Sequence, residues 1–116
     1  MLENRNLTLA ERREQRLAAL AEKAARDADL LRLHQFAAEV LCSEDGPAVR
    51  AQALAHVEIW ARGELCHPDY ITGWRRILDM TPEERRRSPM LREDAQGVAF
   101  RQNTPLGFVR ERLACQ

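Results

Sequence analysis

The side chains of this chain that could do chemistry gather most densely between Leu54 and Leu78. That stretch holds both tryptophans, the only tyrosine and a Cys66-His67-Pro68 break between two apolar helical patterns. His56, Cys66 and His67, with Cys42 or His34, are residue types that bind zinc. Structural zinc sites, however, pair their ligands at short fixed spacing, such as Cys-x2–4-Cys. No such pairing occurs, so no metal is expected. A thiol nucleophile needs a base held against it in an electropositive setting, and neighbours such as Cys66 and His67 diverge in most backbones. Cys66 therefore reads as a small buried apolar residue and His67 as a helix-entry or surface residue. Glu83-Glu84 and Glu93-Asp94 read as helix-start charges rather than an acid/base dyad. With no Gly-rich phosphate loop, Walker pattern or dinucleotide fingerprint, no nucleotide cofactor is expected. No catalytic residue is assigned.

Arginine offers two further patterns. Arg75 and Arg76, followed by Arg85, Arg86 and Arg87, form the densest basic cluster, and residues 75–112 carry nine Arg against six acids. An arginine triplet on a short helix is suited to phosphate contacts. The acids beside it, Glu83, Glu84, Glu93 and Asp94, favour a solvated, partly ion-paired face, and no helix-turn-helix, zinc finger or RNA-binding sheet signature accompanies it. Separately, Arg50 and His56, in Arg-Ala-Gln-Ala-Leu-Ala-His, resemble the Arg-x4–6-His pattern of the HEPN ribonucleases, which are also small, all-helical and often dimeric. The resemblance covers these seven residues and the helical class. It implies His56 as general acid/base at an RNA 2′-hydroxyl and Arg50 as a stabiliser of phosphate charge. The structural alternative makes Arg50 part of an interhelical pair and sets His56 at the border of the core.

Composition limits what can position these residues. A chain of 116 residues fits a single domain with a modest core. Six aromatic residues, Phe36, Trp60, Tyr70, Trp74, Phe100 and Phe108, must supply much of its buried area. Eighteen basic and 18 acidic residues cancel, so no global field attracts nucleic acid or membrane. All basic residues but Lys23 are arginine, a bias that a GC-rich genome produces without a functional cause. The N-terminal Met-Leu-Glu-Asn-Arg-Asn has no apolar signal region, and no stretch approaches the roughly 18 apolar residues of a membrane span. Three cysteines without framework spacing complete the expectation of a cytoplasmic protein with reduced thiols and no membrane partner.

No segment alternates with period two, so the chain is expected to be all-α, a bundle of four to six helices with a long N-terminal helix. After a polar lead-in over residues 1–7, Thr8-Leu9-Ala10-Glu11 fits a capping box. No Gly or Pro follows until Gly46, and the helix over residues 8–42 is on the order of 50 Å long. Its apolar face changes direction. Leu17, Leu20, Ala21, Ala24, Ala28 and Leu31 form one narrow stripe flanked by charges. Leu30, Leu33, Ala37, Val40 and Leu41, widened by Phe36, form another. Either the helix breaks near Asp27–Asp29 or it packs against two different surfaces. The second stripe suits the core of a compact part spanning residues 47–116, and the first suits a coiled-coil-like seam with a partner.

Further along, Pro47 opens a helix running to about Arg62, with Gly63 placed to end it in a left-handed conformation. Pro68 opens the next, whose stripe is Tyr70, Ile71, Trp74, Ile77 and Leu78. Gly73 within it marks a close approach by another helix. Thr81-Pro82-Glu83-Glu84 caps a short helix. Helical spacing resumes from Met90, and Leu106, Val109 and Leu113 form the last helix. Trp60 and Trp74 close two core faces, so Leu54–Leu78 becomes the hinge of the fold rather than a site. The favoured function is a non-enzymatic protein–protein interaction or regulatory module of a bacterium or its phage, homodimeric through the N-terminal stripe and acting on a partner protein. A nucleic-acid-associated regulator using the arginine cluster ranks second, and a HEPN-like ribonuclease third.

Overall fold

A computed structural model describes residues 7–115. The lead-in read over residues 1–7 therefore lies, apart from Leu7, outside the described residues. The described chain is all-α: α1 (Leu9–Leu41), α2 (Gly46–Gly63), α3 (Pro68–Leu78), α4 (Pro82–Arg86), α5 (Ala95–Gln102) and, after a 3-10 turn over Gly107–Val109, α6 (Arg110–Ala114). Its principal extents of 56 × 33 × 26 Å reflect one long helix attached to a compact body.

α1 begins where the sequence marks it. The Thr8 hydroxyl accepts the Glu11 amide at 3.1 Å, satisfying one of the helix's free N–H groups. The helix then runs through Asp27–Asp29 without a break. From Leu30 onward it enters the body, where Leu33, His34, Ala37 and Val40 are buried. α2, α5 and the C-terminal elements pack against this half, and Val49, Ala53 and Val57 of α2 meet Ile71, Trp74, Ile77 and Leu78 of α3 in one core. Trp74 is its centre, fully enclosed, with its indole N–H donating to the Asn103 carbonyl at 2.7 Å. Burying an indole leaves its polar tip needing a partner, and the turn after α5 supplies it. Trp60 is only half-buried and packs at the margin, so it closes the core less completely than the α2 pattern implies.

Three local features differ from the sequence reading. The left-handed residue ending α2 is Glu64 (φ 52°, ψ 40°), while Gly63 remains helical. The helix runs one residue further, and the amides of Glu64 and Leu65 both close on the Trp60 carbonyl. Pro89–Leu91 forms a turn, and Arg92–Asp94 lead irregularly into α5, instead of a helix from Met90. α5 starts only at Ala95, where the Asp94 carboxylate accepts the Gly97 amide at 2.8 Å. Cys66 is half-buried rather than enclosed. Gly73 behaves as its position implies, because the Phe100 ring of α5 lies where a Cβ would stand. The capping box at Thr81 forms completely: Thr81 accepts the Glu84 amide and Glu84 accepts the Thr81 amide.

Candidate functional site

Two halves of α1 present opposite faces. At 100° per residue, Leu17, Ala21, Ala24 and Ala28 centre on one side, with Leu20 and Leu31 at its edge. Leu33, Ala37 and Val40 centre roughly 180° away. Every residue from Thr8 to Arg26 is exposed, including Leu9 (77%), Leu17 (59%) and Leu20 (63%). The projecting half does not fold back on the body. On the side it shares with the buried half it carries Arg12, Gln15, Ala19, Glu22 and Arg26, a surface unsuited to receive the core. The apolar stripe points the other way. Of its six residues, Leu17, Leu20, Ala21, Ala24 and Ala28 are exposed, and Leu31 is half-buried where the helix meets the body.

The body grips α1 at its entry point. Asp29 pairs with Arg110 at 2.9 Å, and Asp27 accepts from Lys23 at 2.8 Å and from Gln102 at 3.4 Å. The Lys23 hydrogen bond holds the Asp27 carboxyl below its usual pKa. One turn on, His34 is completely enclosed. Its Nδ1 lies 2.7 Å from the Leu30 carbonyl and must donate to it, which leaves Nε2 to accept from the Thr104 hydroxyl at 2.6 Å. Thr104 Oγ1 in turn accepts the Leu106 amide. Burial first, then the charges of Arg101 and Arg110, push the imidazole pKa down to about 4 against the opposing Leu30 hydrogen bond. His34 is thus a neutral bolt between α1 and the Thr104 turn. Its place beside the Leu33 and Ala37 core stripe was the signal for it.

The arginine cluster is dispersed by its partners. Arg85 is buried, and its guanidinium donates to the Ile77 and Met80 carbonyls, capping the end of α3 from below. Arg75 forms two hydrogen bonds to Glu58 of α2, at 2.6 and 2.8 Å, and that pairing lowers the Glu58 pKa. Arg87 pairs with Glu83 at 3.2 Å. Arg76 and Arg86 stay exposed, but on different clefts. Arg76 lines one of about 720 Å³ with Arg50, Arg75, Asp79 and Glu84, and Arg86 lines one of about 650 Å³ with Arg85, Glu39 and Cys42. A second buried arginine, Arg101, donates to the Pro89, Met90 and Arg92 carbonyls and holds the turn before α5. Burial lowers its pKa. Nothing in the spacing of Arg85 or Arg101 distinguished them from surface arginines.

Arg50 and His56 serve different neighbours. Arg50 donates to the Leu78 carbonyl at 2.9 Å and to Asp79 at 2.7 Å, so Arg50 and Arg85 satisfy the same helix end from two sides. His56 is exposed and stacks on Phe108, ring centroids 5.7 Å apart. His67 caps α3 by accepting the Asp69 amide at 3.1 Å and meets Tyr70 edge-on. Among the described residues no three His, Cys, Asp or Glu side chains gather around one point, and no helix is long and apolar enough to cross a membrane. The chain matches no protein-family model, no curated protein and no solved structure.

Proposed function

We propose that this chain is a non-enzymatic protein–protein interaction or regulatory module that self-associates through the projecting half of α1. The observation that carries this reading is the exposed stripe of Leu17, Leu20, Ala21, Ala24 and Ala28 on a helix that the body leaves uncovered on that side. A helix apolar along one narrow line and polar elsewhere gains by laying that line against another helix. Several arginines held within the fold support the same reading, while Arg76 and Arg86 stay exposed. Arg50, Arg85 and Arg101 are taken up by backbone carbonyls, and Arg75 and Arg87 by carboxylates. Three unpaired thiols agree with action in the reducing cytoplasm, on a partner protein still to be identified.

Light scattering on the full chain tests this. The native protein should elute with twice its chain mass. The double variant Leu17→Glu with Leu20→Glu should elute as a monomer with an unchanged helical circular-dichroism spectrum, because neither leucine touches the core. A native chain that stays monomeric at about 100 µM, well above typical Kd values for specific dimers, removes the reading.

A further inference from the structure

The partner's orientation on α1 is written in the sizes and charges along the stripe. We infer that the second copy of this chain lies antiparallel, with Leu20 near the two-fold axis. This rests on the self-association proposed above and adds its geometry.

Size gives the first argument. Ala10, Leu17, Ala24 and Leu31 recur every seven residues, and Ala21 and Ala28 fall between them. In a parallel pair each residue meets its own copy. Leucine then meets leucine at position 17, and alanine meets alanine at 21, 24 and 28, so the helices must separate at one level and leave gaps at the next. Turned antiparallel about a point near residue 19, Leu17 lies over the partner's Ala21 and Ala10 over the partner's Ala28. At the level of Leu17 large then meets small, and the leucine-on-leucine contact that remains, Leu20 on its own copy, falls at the edge of the seam.

Charge gives the second. Arg13 and Asp27 edge the same side of the stripe, and Leu20 stands midway between them. In the antiparallel arrangement Arg13 of each copy reaches Asp27 of the other, twice by symmetry, around a central Leu20–Leu20 contact. Asp27 sits at the rim of the body, where Lys23 donates to its Oδ2 and Gln102 to its Oδ1 at 3.4 Å, so Arg13 of the partner would share or replace the long Gln102 contact. A parallel pair offers Asp27 the partner's Arg32 instead, but it sets Glu14 against its own copy inside the seam. In the antiparallel pair Glu14 lies over the partner's Ala24, with its carboxylate free to reach water. The body packs mainly on the opposite side of α1 and reaches the stripe only at Asp27 and Leu31, and the turn-about sends the two bodies to opposite ends of the helix pair.

Charge exchange and directed cross-linking in the full chain test the orientation together. Arg13→Glu alone, and Asp27→Arg alone, should each raise the dimer dissociation constant by roughly tenfold, and the double variant should return to within roughly threefold of native. In a background with Cys42, Cys66 and Cys115 replaced by serine or alanine, a tagged Leu17→Cys chain mixed with an untagged Ala21→Cys chain should oxidise mainly to the tagged–untagged pair. A dimer in which the double variant is no better than the singles, or in which Leu17→Cys links chiefly to itself, overturns the antiparallel arrangement and leaves self-association standing. A native chain that never dimerises overturns both.

Discussion

The two halves of α1 share one unbroken helix, yet only one is buried. The inner half spreads Leu30, Leu33, Ala37, Val40 and Leu41 over a wide arc and adds an imidazole whose two nitrogens both find partners. The outer half offers three exposed leucines and a line of alanines. Helicity does not separate them, because an already nucleated helix propagates through good helix formers at little expense. Area does. Alanine removes too little apolar surface from water to hold a second layer of the body, so the outer stripe stays uncovered.

The largest effect that sharpens this contrast belongs to Trp74→Ala. It should cost about 3–5 kcal/mol in urea unfolding, since it empties the enclosed centre and orphans the Asn103 carbonyl. Leu17→Ala, measured at dilutions where the chain is a monomer, should change stability by less than about 0.5 kcal/mol. A loss of 2 kcal/mol or more at Leu17 (on the order of a core truncation) would mean the outer half packs on something in its own chain.

Next comes acid. His34 is held neutral with its pKa near 4, whereas the unfolded chain binds a proton near 6.5. The unfolded state therefore takes up more protons between those values. The contribution of His34 is complete above about pH 6.5 and fades as pH falls towards 4, by at most about 3 kcal/mol. Urea titrations at pH 7 and pH 4.5 should show a steeper loss in native protein than in His34→Gln. Equal losses would show that the inner half is not bolted through the imidazole.

Gly73→Ala is subtler. Helix propensity alone favours alanine by about 1 kcal/mol, but the methyl would enter the space of the Phe100 ring. A net loss of roughly 1–2 kcal/mol is expected, and a gain would show that α3 and α5 are loosely apposed. Smallest is Glu64→Gly, which relieves a left-handed backbone and should add about 0.5–1 kcal/mol, read as a rise of a few degrees in melting temperature.

Much of the fold was legible because helix boundaries announce themselves chemically. Thr81, Pro68 and the Tyr70–Leu78 stripe act as their types and spacing indicate, and Thr8 caps α1 but forms only its own half of the expected capping box. What escaped was long-range. Glu64 takes the left-handed turn beside an available glycine because Trp60's carbonyl closes on the residues after it. Met90–Asp94 has helical spacing, but Asp94 caps the helix that follows and the Arg101 guanidinium pins the preceding carbonyls. The arginines were least legible of all. Charge on a short helix looks alike whether it faces water, as Arg86 does, or turns inward to a helix end, as Arg85 does. Only the tertiary position of α3's last carbonyls separates the two.

The continuity of α1 across the boundary of the body makes it a lever. Its arm from Leu30 to Leu9 is about 32 Å long, and its fulcrum is the set of contacts through Asp29–Arg110 and His34–Thr104. A tilt of about 5° at the fulcrum swings the tip by roughly 3 Å. Conversely, a load seated on the outer leucines delivers its torque to the turn that carries Thr104, Asn103 and, through the indole of Trp74, the middle of the core. A partner bound at the tip, as proposed above, would therefore be joined to the interior by rigid helix and hydrogen bonds.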